Sequence, residues 1–338
     1  MRKDTRIAYN RLLERIAQLS GVPSAKEQFA IEPSVQQTLE TKIQESSEFL
    51  SSINIVGVDE LKGQKLGLGV TGPIASRTDT TQNDRTTSDV ASLEAHDYEC
   101  YSTEFDTHIT WAKLDAWAKF PDFQTRVRNA IVRQQALDRI MIGLNGTTAA
   151  TDTDRVANPL LQDVNIGWLQ QYRIHAPGRV LSEGANVGEV RVGPNGDYEN
   201  LDALVYDVVN EMLDPWFRES TDIRAICGRK ILADKYFPLI NQSQAPTEQR
   251  ALDMILSQKR MGGQQAARVP FMPDGTLLIT PPENLSMYWQ NGSRRRHLVE
   301  NPKRSRIENF ESSNDAYVIE DYGFGCLVEN IKFGDWSV

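Results

Sequence analysis

The sequence predicts an α+β protein on three observations. A long apolar stripe runs at helical spacing over 121–142, two alternating segments flank a polar tip between 66 and 111, and the texture turns strand-like after Gly262-Gly263. The 338 residues are 40% hydrophobic and 25% charged, a globular balance that excludes a disordered chain or a fibre. A chain this long buries roughly three quarters of its unfolded surface and can build two modest domains without metal or disulfide support.

Residues 1–29 carry Arg2, Lys3, Arg6, Arg11, Arg15 and Lys26 against Asp4, Glu14 and Glu27, so they are about +3 in a chain whose net charge is −9. Ile7, Leu12, Leu13, Ile16 and Leu19 recur at helical spacing before Ser20-Gly21-Val22-Pro23 ends the pattern. This basic amphipathic leader is either a packed N-terminal helix or a removable, partner-binding segment. From Ile31 to Val58 the chain is polar and patchily apolar, which predicts an extended arm with a short helix near Gln37–Phe49.

Leu66, Leu68 and Val70 then alternate with Lys65, Gly67 and Gly69, a strand period, and the stretch Ala75–Ala91 is rich in Ser, Thr, Asn and Asp with almost nothing to bury. Phe105, Thr107, Ile109 and Trp111 fall on one face of a second strand. Together they predict an arm-like hairpin. A hairpin so long and thinly apolar needs another body to lean on, such as a second subunit.

Phe123, Val127, Ala130, Ile131, Leu137, Ile140, Met141 and Leu144 form the helical stripe, with Pro121 placed for its first turn and Gly143 and Asn145-Gly146 closing it. At 1.5 Å per residue this helix is roughly 30 Å long and can serve as a spine. Further helices are expected at Leu160–Tyr172, opened by Asn158-Pro159, and at Leu201–Trp216. Ile223–Cys227 reads as a buried strand, Gly228 as its turn and Arg229–Ile240 as a helix. Strands follow at Ala267–Val269, Thr276–Thr280, Met287–Gln290 and across Ala316–Phe333. There is no internal repeat.

Enzyme chemistry finds little support. Gly67-Leu-Gly69-Val-Thr-Gly72 matches GxGxxG, but Pro73, Ile74 and a Ser/Thr-rich stretch follow where a dinucleotide site needs a helix. No GxSxG, HExxH or GxxxxGK[ST] motif occurs, and His96, His108, His175 and His297 are far apart in the chain. Asp152 with Asp154, and Glu320 with Asp321, read as solvated charge. Trp168 and Trp216 read as core anchors on helix faces. Cys100, Cys227 and Cys326 lack metal-ligand or disulfide spacing, so no cofactor, metal or catalytic residue is expected and the compartment is read as reducing. No apolar run suits a membrane span or signal peptide, which predicts a soluble, cytosolic product with no membrane partner. The acidic balance argues against a surface built to grip phosphate backbones. The cluster Arg294-Arg295-Arg296, followed by Lys303, Arg304 and Arg306, reads as intersubunit ion pairs or a solvated face, with phosphate contact the lesser alternative.

Several ordered segments carry a family resemblance: Glu32-Pro-Ser-Val, QESSEFL from Gln44, INIVGVDELKG from Ile53, GVTGPIAS from Gly69, LQDVNIGWLQQYR from Leu161, GRKILADKYFPLIN from Gly228, SQKRMGG from Ser257, PPENLSMYW from Pro281, and the long run from Arg306 to Asp335. Across essentially the whole chain these resemble the major capsid proteins of P2-like tailed bacteriophages. The resemblance implies the HK97-like shell fold, divided as a basic leader (1–29), an N-arm (30–61), an extended loop (62–110), a peripheral domain with the spine helix (111–201), an axial domain (202–309) and a terminal β segment (310–338) that returns to the peripheral domain. It also implies a precursor that assembles on a scaffold into pentamers and hexamers, meets a portal, and loses its leader to a maturation protease near Phe29-Ala30. The extended loop, with Leu66, Leu68, Val70, Phe105 and Ile109, would lie across a neighbouring copy. Packaged double-stranded DNA would be touched only weakly and non-specifically, and the product would reside in the virion after assembly in the host cytoplasm. An encapsulin-like or other phage shell protein without DNA packaging is the alternative.

Overall fold

The computed structural model describes residues 3–19, 22–25, 27, 29–70, 75–87, 91–117, 123–240 and 260–336. Helix α1 (Lys3–Leu19) opens the chain and is followed by the short strand β1 (Phe29–Ala30). The arm folds as α2 (Pro33–Glu45) and α3 (Glu48–Ser52), two helices where one was expected, and ends in β2 (Asn54–Val58). Pro33 sits in the first turn of α2, where its missing N–H costs nothing, and the Ser47 hydroxyl caps α3 by accepting from the Leu50 N–H. A ribbon follows, β3 (Lys62–Val70) and β4 (Ala91–Glu99), then β5 (Tyr101–Glu104), β6 (Thr107–Thr110), α4 (Trp111–Trp117) and the spine helix α5 (Phe123–Asn145). Next come α6 (Trp168–His175), β7 (Val180–Leu181), β8 (Val190–Val192), α7 (Leu201–Met212), β9 (Arg224–Cys227) and α8 (Arg229–Ile240). The C-terminal third is β10 (Arg260–Met261), β11 (Gln264–Arg268), β12 (Leu277–Thr280), β13 (Leu285–Gln290), β14 (Arg295–Asn301), β15 (Arg306–Ile319), β16 (Cys326–Val328) and β17 (Ile331–Phe333).

Two sheets organise the body. One runs β1-β14-β15-β13-β2, with β5 and β6 pairing along the other edge of the long strand β15; the second runs β10-β11-β9-β12-β16-β7. In the second sheet, Ile226, Leu278 and Leu327 pack towards the spine and α6, whereas Ala225, Cys227, Leu277, Ile279, Cys326 and Val328 pack towards α7. That period-two partition buries both faces, which is why these strands read as unbroken apolar runs.

The spine is 23 residues, about 35 Å long. It runs through Gly143 rather than ending there, and glycine is required because a Cβ would lie 2.2 Å from the Trp168 ring. Pro121 lies outside the described residues.

Three expectations are corrected, and the reading of the glycine motif as part of a strand agrees with the fold. The strand that returns from the polar tip is Ala91–Glu99, paired with Lys62–Val70, so Phe105 and Ile109 do not belong to the ribbon. Ile109 instead pairs with Ile307 of β15, and Phe105 is buried beside the seven-stranded sheet. The alternation at 105–111 is therefore that of a sheet strand with one covered face, while 91–99 is too polar to announce itself as one. The helix expected from Leu160 begins only at Trp168, since Leu161 at φ 58° lies in the left-handed region and cannot propagate an α-helix. Helix α7 stops at Met212 ahead of Pro215, leaving Trp216 outside it and 46% exposed. Gly67 and Gly69 lie within β3 and open no helix; Gly72 is outside the described residues.

Candidate functional site

Three assemblies of residues bear on function, and the first fastens the arm. The stripe of α2 carries Glu40 inward, where Arg139 of the spine and Arg294 meet it, Arg139 Nη2 lying 3.1 Å and Arg294 Nη1 2.6 Å from Glu40 Oε1. Arg139 Nη1 also donates to Glu40 Oε2. Arg294 further donates to Glu311 Oε1 at 2.6 Å and to Gln135 Oε1 at 3.0 Å, and Asp315 Oδ2 lies 3.6 Å from Arg139. Burial alone would raise the Glu40 carboxyl, but the two flanking guanidiniums outweigh it and hold it below the usual carboxylate range. Asp315 goes the other way: burial pushes its carboxyl up despite Arg139. At one end of α2, Gln36 accepts from the Gly292 N–H at 3.1 Å and donates to the Gln290 carbonyl at 3.3 Å. The arm is thus locked to spine and sheet by polar groups with no solvent to compete.

This geometry corrects the reading of the arginine cluster. Arg294 is completely buried and spent on internal carboxylates, so it presents nothing to phosphate or to a neighbour; a lone buried guanidinium would be costly, and the distant acids Glu40 and Glu311 are what make its burial tolerable. Arg295 is exposed, and Arg296 is half-buried with its Nε donating to Asn309 Oδ1 at 2.8 Å.

The second assembly is the N-terminal segment. Tyr9, Leu13, Ile16 and Ala17 of α1 pack with Phe29, Ile31, Leu114, Leu298 and Ile307. The buried stripe is rotated from the expected one, for Ile7 is 45% exposed and Tyr9 takes the inner face. Phe29 and Ala30 pair antiparallel with Arg296 and Arg295 on the edge of β14, which brings together two clusters from opposite ends of the sequence.

The third is the ribbon. Its register runs from Lys62 opposite Glu99 to Val70 opposite Ala91, with Lys62 and Glu99 ion-paired at 2.7 Å at its base. Residues 75–87 at the tip are exposed apart from half-buried Thr78. The base rests on the body: Tyr98 stands edge-on to Tyr288 at 5.1 Å, and His96 packs against His175 at 5.6 Å and Tyr322 at 4.9 Å between ring centroids. Two of the four separated histidines therefore meet, which no spacing rule announces. Beside them lies a cleft of about 550 Å³ lined by His96, Tyr98, Gln171, His175, Tyr317 and Tyr322. Among the described residues no group of three or more His, Cys, Asp or Glu side chains could hold a metal, and no helix is long and apolar enough to cross a membrane.

The arm, the N-terminal helix and the ribbon are each fastened to the body by the contacts above. Comparison with known proteins decides the family, because the description "Phage major capsid protein, P2 family" matches residues 8–331. The chain belongs to that family. It is 51% identical to the capsid proteins of Escherichia phage P2 over 346 residues, covering 100% of this chain and 97% of that one. It is 40% identical to the major capsid protein of Serratia phage KSP20, covering 98% of each. Among solved structures, a chain of the satellite phage P4 procapsid including size determination (Sid) protein superposes with a TM-score of 0.83 at 48% identity, covering 100% of both chains. This P2-family capsid protein therefore has the HK97-like shell fold and is a structural component of the virion, not an enzyme.

Proposed function

We propose that this P2-family capsid protein is the precursor of an icosahedral head: it assembles on an internal scaffold into pentamers and hexamers, incorporates a portal, loses its leader of about residues 1–29 to a phage protease near Phe29–Ala30, and encloses double-stranded DNA. The observation that carries this reading is the ribbon. β3 and β4 form a ladder only with each other among the described residues; Tyr98 and His96 seat the base on the body, and a two-stranded ladder carried beyond such a seat is marginal in water. A neighbouring copy is its natural support. Many modest contacts of that kind suit a shell in which one chain must occupy slightly different environments.

The segmentation into leader 1–29, arm 30–61, extended loop, peripheral domain 111–201, axial domain 202–309 and terminal β segment 310–338 belongs to the same reading, with the loop shortened from 62–110 to 62–99 because β5 and β6 pair with β15. In it, the stretch of β3 that carries Leu66, Leu68 and Val70, whose side chains lie outside the described ones, meets a neighbouring copy. Removing the basic leader takes the net charge from −9 to about −12, and a carboxylate-rich wall repels packaged phosphates so that the duplex slides during loading and ejection. Assembly takes place in the host cytoplasm.

Co-expression with the scaffold and protease, followed by electron microscopy, sedimentation and intact-mass measurement, tests the proposal. Closed shells of uniform size built from residues 30–338 are expected. Scaffold-free compartments would favour the encapsulin-like alternative, and a persistent monomer would remove both.

A further inference from the structure

The scissile region is held to the body by two unlike contacts. In the core, Leu13 and its neighbours on α1 pack on Leu114 of α4, Leu298 of β14 and Ile307 of β15, sharing that cluster with Phe29 itself. Outside it, the Arg6 guanidinium makes a bidentate pair with the Glu300 carboxylate of β14, at 2.6 and 2.8 Å. Between these, the backbone runs along the β14 edge: the Leu298 N–H donates to the Ala25 carbonyl at 3.4 Å, Phe29 and Ala30 oppose Arg296 and Arg295, and the Ile31 N–H donates to the Arg294 carbonyl at 3.0 Å. Phe29 is 9% exposed.

A protease takes its substrate as an extended strand, engaging the same backbone groups that an edge strand uses for pairing. A bond that sits in β1 cannot satisfy β14 and a protease cleft together. Freeing it means breaking the hydrogen bonds around Phe29 and withdrawing its ring from the core that α1 completes, so strand and helix open as one unit.

We infer that β14 shields the Phe29–Ala30 bond in cis, and that the docking of α1 through Leu13 and Arg6 sets how fast that bond is cut. The inference deepens the maturation reading above and rests on it for the identity of the acting protease. Cleavage is governed by the population of the opened form whenever closing outpaces cutting. The leader thus restrains its own removal until something draws α1 off the body.

The test uses the full chain and two proteases. Chymotrypsin, which cuts after aromatic side chains, reports shielding irrespective of any phage enzyme; the product 30–338 is followed by intact mass, and amide exchange at Ile31 is followed in parallel. In the native protein the bond is expected to be cut far more slowly than in a free peptide of the same sequence. Leu13→Ala is expected to raise cutting and exchange together by roughly tenfold or more, as large-to-small core changes shift local opening. Arg6→Glu is expected to raise both by about twofold to fivefold, and adding Glu300→Arg to restore them, a rescue that general unfolding would not produce. The phage protease should rank the variants in the same order. Native cutting at the free-peptide rate, or variants that exchange faster without being cut faster, would overturn the shielding. Shielding from chymotrypsin combined with phage cleavage at another bond would instead overturn the maturation reading and, with it, the regulatory sense of the latch.

Discussion

The Glu40 carboxylate and the Arg294 guanidinium meet at 2.6 Å although 254 positions separate them, and neither side chain is more than 3% exposed. Arg139, Glu311 and Asp315 complete the site, three acids to two guanidiniums within 4 Å, with Arg296 acting on Glu311 from farther off. Asp315 is the surplus acid, and its Oδ1 has no hydrogen-bond partner. Removing the central carboxylate strands both cations, whereas neutralising the surplus one strands nothing. Glu40→Gln should therefore cost about 3–5 kcal/mol and Asp315→Asn less than about 1 kcal/mol in urea unfolding of the unassembled protein. Equal costs would contradict this division of roles.

Acid stability should follow the same groups. Burial would raise Glu40 and Glu311, but the guanidiniums beside each hold them below the usual range. Such carboxyls contribute stability above their unfolded pKa, about 4.3, and lose it as pH falls through the lower folded value. Asp315, raised by burial, has the opposite sign: its contribution is present at low pH and disappears as pH rises through the folded value. With two depressed carboxyls against one raised, the urea midpoint should drop on acidification from about pH 5 to pH 2. Glu40→Gln should flatten that slope.

The ribbon's seat should respond to milder acid. Burial, and secondarily His96, hold the His175 imidazole below its ordinary value, and Lys65 places another cation 5.9 Å from the Tyr322 ring that both histidines touch. The stability tied to neutral His175 is complete above its unfolded pKa, about 6.5, and is lost as pH falls through the lower folded value. Amide exchange across Ala91–Glu99, corrected for the intrinsic pH dependence, should therefore quicken between pH 7 and pH 5. His175→Phe should abolish that step; its persistence would point to another group.

Gly143 and Gly178 offer a matched pair of substitutions. A Cβ at Gly143 would meet the Trp168 ring at 2.2 Å, whereas at Gly178 nothing lies within 4 Å. Gly143→Ala should destabilise by about 1–3 kcal/mol through overpacking, and Gly178→Ala by much less, in thermal unfolding followed by circular dichroism.

The three thiols should be inert in the folded protein. Burial pushes Cys100 and Cys326 up to about 12 and Cys227 up to about 11, which removes the nucleophilic thiolate at neutral pH. Iodoacetamide at pH 8 should modify none of them before denaturation and all three afterwards, as read by mass.

By itself the sequence determined the elements whose pattern is local, and its ordered motifs carried the family. The spine over Phe123–Asn145, the buried strand Arg224–Cys227 and the helix Arg229–Ile240 are legible because periodicity reports which face of an element is covered. It does not report what covers that face. Only the tertiary structure decided that Ala91–Glu99 closes the ribbon, that Phe29-Ala30 lies on Arg295-Arg296, that His96 meets His175, and that Arg294 is sealed against Glu40. A guanidinium reads as solvated until an acid from the far end of the chain makes its burial affordable, and such pairings depend on long-range closure that no window of neighbouring residues contains.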